Sequence, residues 1–106
     1  MPIQLGIWER RDNGDRAAMG NAALIVSKTL RQAKGITSSR FYWSGSESIV
    51  LLTQGEGPAL TNPDIANPTE YAKAGWDMID NAKVTLNIRL TEPQAALQTY
   101  QNAGRI

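Results

Sequence analysis

The sequence predicts an α+β domain in which four antiparallel strands carry two helices on one face, with a third helix following. Three observations carry that prediction. Residues 83–90 alternate strictly, with Val84, Leu86, Ile88 and Leu90 against Lys83, Thr85, Asn87 and Arg89. Such a period of two marks a strand. In residues 16–34, Met19, Ala22, Ala23, Val26 and Leu30 recur on one helical stripe. Residues 36–56 hold two strand-like runs separated by Ser44-Gly45-Ser46-Glu47. Small polar residues between two such runs predict a hairpin.

In chain order, residues 2–10 alternate first. Ile3, Leu5 and Ile7 fall on one side, and Gln4, Gly6, Trp8 and Arg10 on the other, the pattern of a half-buried strand. Asp12-Asn13-Gly14-Asp15 breaks it, and Asp15 is placed to cap the helix that begins at Arg16. Lys28, Arg31 and Lys34 favour the negative end of that helix dipole. Gly35 suits the position just past the helix.

In the first hairpin arm Thr37, Ser39, Phe41 and Trp43 share a face, and Ile36, Ser38, Arg40 and Tyr42 share the other. The second arm, Ile49-Val50-Leu51-Leu52, is apolar on both faces and belongs in the middle of the sheet. Gly55 to Pro68 is rich in Gly, Pro and Asn and is expected to be a loop. Its length suits either a binding segment or a passive connection.

Asn67-Pro68 opens a second long helix, as N-cap and first helical residue. Tyr71, Ala74, Gly75, Met78 and Ala82 form its apolar stripe, and Trp76 lies off it. The strand at 83–90 follows. Glu92-Pro93 begins a third helix that Gly104 ends. The order β-α-β-β-α-β-α matches, through its first six elements, the split βαβ or ferredoxin-like arrangement. One domain spans residues 1–106.

Composition narrows the chemistry. The 106 residues are 42% hydrophobic and 20% charged, with a net charge of +1. That balance gives no electrostatic footprint for nucleic acid. RNA-binding domains of the same topology stack bases on strand aromatics, whereas Ile49-Val50-Leu51-Leu52-Thr53 has none, so no nucleic-acid partner is expected. There is no cysteine and no histidine. Thiol nucleophiles, thiolate metal sites and a Ser-His-Asp triad are excluded, and no metal site is expected. No signal peptide or membrane-length apolar run is visible, so a cytoplasmic protein without a membrane partner is expected.

With both helices on one sheet face, the other face exposes aliphatic and aromatic side chains. Trp8 and either Phe41 and Trp43 or Tyr42, with parts of Val50 or Leu52, are expected there. Such a face needs a cover, and a second copy of the chain is the simplest one, making a homodimer.

The element order, to about residue 91, resembles the dimeric α+β barrel superfamily, in which ferredoxin-like chains pair sheet to sheet. The segment Arg40-Phe41-Tyr42-Trp43-Ser44-Gly45, the run Ile49-Val50-Leu51-Leu52-Thr53 and the closing Tyr100-Gln101-Asn102-Ala103-Gly104-Arg105 resemble an uncharacterised bacterial branch of that group. The superfamily includes cofactor-independent monooxygenases, haem enzymes, polyketide cyclases and amino-acid-binding regulatory domains. The haem branches usually ligate iron through histidine, which this chain lacks. The resemblance therefore implies no cofactor and a monooxygenase-like activity on a small aromatic substrate. The alternative is a non-catalytic module for ligand binding or protein interaction.

Small oxygenases of this type line their pocket with Asn, Trp, Tyr and Arg, types present here as Tyr71, Trp76, Asn87 and Arg89. Asn87 and Arg89 lie on the polar face of the last strand. Turned inward they would stabilise a carbonyl or phenolate oxygen; turned outward they would meet solvent or a dimer seam. Trp8, Tyr42 and Trp43 suit an aromatic wall for a flat ligand or plain core and interface. Trp76 is expected to pack beneath the 55–68 segment or against a partner subunit. Asp77 and Asp80, three apart on a helix, read as a solvated face rather than paired catalytic carboxylates.

Overall fold

The structure is a computed structural model that describes residues 1–91. The helix expected after Glu92 lies outside the described residues. The elements are β1 (Ile3–Arg10), α1 (Arg16–Arg31), β2 (Ile36–Ser44), β3 (Ser48–Gly55), α2 (Gly57–Thr61), α3 (Pro68–Asn81) and β4 (Ala82–Leu90). The sheet order is β2-β3-β1-β4, with every neighbouring pair antiparallel. This is the α+β, ferredoxin-like arrangement. The doubly apolar β3 sits inside the sheet, and the polar-faced β4 forms an edge.

Local chemistry sets the boundaries. Asp15 accepts hydrogen bonds from the backbone N–H groups of Ala17 and Ala18 and so caps α1. α1 stops at Arg31, before the expected Lys34. Gly35, at φ +85°, takes the turn into β2. Gly45, at φ +70°, closes the hairpin. Pro68 starts α3 at its first turn, but the Asn67 side chain makes no capping bond. β4 begins at Ala82 with no intervening loop, and the Arg11 guanidinium donates to the Ile79 carbonyl near the end of α3.

Two register shifts change which side chains share a face. The shift between Ile36 and Ser38 turns Ile36 toward the helices, opposite Gly55 and away from the face expected for it. The shift on β4 opposite Ile7 and Trp8 makes Thr85 an extra residue, so Leu86 pairs with Ile7 and Val84 with Trp8.

The helices cover the face bearing Trp8, Phe41, Trp43, Ile49 and Thr53. The core joins Met19, Ala22 and Ala23 of α1, Ile49 of β3, Met78 of α3 and Ala82, all buried, and Trp8, Phe41 and Trp43 pack against them. Trp8 is therefore on the helix side, not on the open face where the sequence reading put it. The open face carries two apolar rows: Tyr42, Val50, Ile7 and Leu86 in one, Leu52, Leu5 and Ile88 in the next. Tyr42 is 51% exposed, and Leu86 and Ile88 are exposed too.

Candidate functional site

A cavity of about 410 Å³ opens between the helix layer and the sheet, at the end away from the β2–β3 hairpin. Its size suits a drug-sized ligand. The space follows from small residues. Gly6 on β1 and Ala72 and Gly75 on α3 line it, and a Cβ built on Gly75 would meet nothing within 4 Å. Larger side chains at these positions would fill the gap, as Met19 and Ile49 fill the hairpin end.

The segment expected to be a loop supplies one wall. Residues 57–61 form the short helix α2, and Ala59, Leu60 and Thr61 line the cavity together with Pro63. Glu56 has no helix-capping side-chain bond, but its backbone N–H donates to the Gly35 carbonyl at 2.8 Å, which pins the start of α2 to the α1–β2 turn. Pro58 in the first turn fits a helix start. Sequence patterning missed this element because one turn of helix carries no measurable periodicity.

Of the residues singled out from sequence, Trp8, Tyr71 and Asn87 line the cavity together. Asn87 thus faces the helix side, the inward alternative. Tyr71 is half-buried, and burial raises its phenol above the ordinary value of 10.0. Its hydroxyl therefore stays protonated and serves as a hydrogen-bond partner rather than a base at neutral pH.

The other three stand apart. Arg89 points to the same side but does not line the cavity; it holds the residues that do. Tyr42 lies on the opposite sheet face from Trp8 and Trp43, so the three cannot form one aromatic wall. Trp43 instead packs at the hairpin end, with the Arg16 guanidinium 3.9 Å from its ring centroid. Trp76 is 65% exposed and is not tucked beneath 57–61. It sits one helical step outside the cavity-lining arc of α3.

Gln4, which sequence reasoning passed over, joins the polar edge of the site. Its Nε2 donates to Asn87 Oδ1 at 2.7 Å. Arg89 Nε donates to Gln4 Oε1 at 3.3 Å, and Arg89 Nη2 donates to Thr61 Oγ1 at 3.1 Å. The signal was present only as alternation: Gln4 shares a face with Gly6 and Trp8. Its neighbours across the sheet depend on the β1–β4 register. Deeper in, Ser39 and Thr53 share a 2.9 Å hydroxyl–hydroxyl bond and are both buried. That contact engages the Thr53 hydroxyl, so the Asn87–Gln4 edge, Tyr71 and the Trp8 indole N–H are the polar groups of the wall that concern a ligand. Among the described residues there is no cluster of acidic side chains able to hold a metal ion.

The same architecture occurs in known structures. The chain is similar to SnoaB, a cofactor-independent oxygenase from Streptomyces nogalater, with TM-score 0.70 and 8% identity over 88% of this chain and 93% of that one. It is similar to Rv0793 from Mycobacterium tuberculosis, with TM-score 0.68 and 14% identity over 89% and 97% of the two chains. A candidate antibiotic biosynthesis monooxygenase from Nitrosomonas europaea matches with TM-score 0.69 and 9% identity, over 87% and 98%. No protein-family profile and no curated protein sequence matches the chain. At these identities the likeness establishes the fold alone, a ferredoxin-like α+β arrangement of the kind its element order implied.

Proposed function

We propose that the cavity binds a small, flat aromatic ligand bearing an acidic oxygen, and that the protein is a cofactor-independent monooxygenase-like enzyme. The observation that supports this best is an apolar cavity walled by Trp8 and Tyr71 with a single polar edge at Asn87 and Gln4. Apolar walls with a few placed polar groups are the usual build of a small-molecule site. The oxygenase named among the structural neighbours supports the class of chemistry.

In this reading the substrate supplies the electrons. Loss of a proton from an anthrone to solvent water gives an electron-rich enolate, which reacts with O2 at the activated ring carbon. One oxygen atom stays as a carbonyl, the other leaves as water, and the ring CH2 loses both hydrogens. The chain's part is to hold the enolate oxygen at Asn87 and the ring between Trp8 and Tyr71. The test is oxygen uptake with anthrone as probe, with labelled O2 traced into the product. Uptake with one labelled atom per product, falling at least about tenfold in Asn87→Ala, is the expected result.

A second reading is a non-catalytic ligand-binding module. It is favoured by the raised phenol of Tyr71, the titratable side chain of the cavity wall, which makes it a poor proton acceptor. Saturable quenching of tryptophan fluorescence without oxygen uptake would select it.

We also propose that a second copy of the chain covers the open sheet face, burying the rows around Leu5 and Ile7. Sedimentation should give twice the 11.6 kDa chain mass, and Ile7→Asp should return it to the single-chain value. A wild-type monomer would remove this part of the proposal.

A further inference from the structure

We propose that Arg89, acting through Gln4, fixes the direction of the Asn87 side-chain amide, so that the cavity offers hydrogen-bond donors and selects an anionic oxygen. The ligand class rests on the reading above, whereas the amide direction stands on geometry alone.

The donor and acceptor capacity of each group sets the direction of the bonds. A guanidinium only donates. Arg89 is held by Thr61 Oγ1 at 3.1 Å, and its Nε faces Gln4 at 3.3 Å. Gln4 must therefore turn its oxygen to Arg89, which sends its NH2 the other way, to Asn87 at 2.7 Å. Asn87 must in turn meet that NH2 with its oxygen. The opposite orientation of either amide would set donor against donor. The chain of bonds is thus one-way, and it ends with the Asn87 NH2 as the group left for a ligand.

The cross-strand register builds the space in front of it. Gln4 is the partner of Arg89, and Gly6 is the partner of Asn87. Because Gly6 has no side chain, the Trp8 indole comes close to the strand beside Asn87. A Cβ on Gly6 would lie 3.5 Å from Trp8 Nε1, so the indole N–H borders the same stretch of cavity wall. Indole nitrogen donates only. Two N–H groups on one stretch of wall suit an oxygen that carries charge, a phenolate or enolate, over a neutral phenol that must also donate. Arg89 is in this scheme a positioning residue.

The experiment measures the ionisation of bound 2-naphthol by its absorbance, in the wild type and in Gln4→Glu, Arg89→Met and Arg89→Lys. The wild type should hold naphtholate about tenfold more tightly than naphthol. Gln4→Glu keeps the shape but accepts from both neighbours, so Asn87 turns its oxygen into the cavity and the preference reverses. Arg89→Met frees the Gln4 amide and loses the preference. Arg89→Lys, whose ammonium also only donates, restores it. A preference that Gln4→Glu leaves unchanged would overturn the proposal, and a merely structural role for Gln4 would not reverse its sign.

If 2-naphthol does not bind the wild type, the aromatic-ligand reading fails separately. Neutron diffraction from deuterium-exchanged crystals then decides the amide directly. Deuterium on the cavity side of Asn87 supports the one-way chain, and oxygen there refutes it.

Discussion

The two ends of the same helix–sheet interface are built differently. At the hairpin end, Met19, Ala22 and Ala23 of α1, Ile49, Met78 and Ala82 form a buried cluster on which Phe41 and Trp43 pack. At the far end the same helices continue as Val26 and Leu30 on α1 and Tyr71, Ala72 and Gly75 on α3. There they face Gln4, Gly6, Thr53 and Asn87 across a cavity. The same helices serve both ends, but the β4 register shift opposite Ile7 and Trp8 lies between them. Side-chain size and polarity along each element add to that difference. One end is filled by the core, and the other keeps a cavity.

That contrast can be broken most strongly from the filled end. Ile49 is fully buried, and Ile49→Ala should cost about 2–5 kcal/mol, because it opens a void in close-packed surroundings. Leu51, two residues along on the same face, borders the cavity, and Leu51→Ala should cost less, about 1–2 kcal/mol. Urea denaturation of both variants compares the ends directly. Equal losses would mean the far end is packed in solution.

Filling the hollow end is the complementary change. Gly75→Leu projects into open space from the middle of a helix. Its helix propensity should raise stability by up to about 1 kcal/mol. The same side chain should weaken binding of the aromatic probe at least about tenfold by occupying its place. Thermal melting and fluorescence titration of one sample would show the two effects with opposite sign.

The ends should also answer to opposite extremes of pH. The Tyr71 phenol is raised by burial at the hollow end. A raised acid stays neutral in the folded chain after it has ionised in the unfolded one. Stability should therefore fall as pH rises above 10.0, until the folded group itself ionises. Tyr71→Phe should flatten that alkaline slope. Beside the hairpin turn, Glu47 accepts from Arg10 Nε at 2.6 Å, and that bond, with the Arg10 charge, lowers its carboxyl. Its contribution is present above 4.5 and is lost as pH falls through the lower folded value. Both partners lie at the surface, where solvent screens the pair. Glu47→Gln should therefore change the acid limb of a stability–pH curve by the smallest amount of the set.

Much of this was legible in residue order. Strict alternation at 83–90, the stripe from Met19 to Leu30 and Ser44-Gly45-Ser46-Glu47 gave strand, helix and turn, because each depends on neighbours a few residues apart. The doubly apolar run at Ile49 placed its strand inside the sheet for the same local reason. The candidate site was half legible. Trp8, Tyr71 and Asn87 stood out by type, but Tyr42 and Trp76 stood out equally and lie elsewhere.

By itself, then, the sequence determined the four strands, the two long helices and their order, since periodicity and composition act over short spans. It also excluded histidine and cysteine chemistry outright. Tertiary structure decided which face met the helices, and with it that Trp8 turns inward while Tyr42 turns out. It decided that 57–61 is a wall, and that Gln4, some 80 residues away in sequence, binds Asn87 and Arg89. The contacts of Gln4 hang on the β1–β4 pairing and its register shift. A shift of a single residue reverses the face of every side chain beyond it.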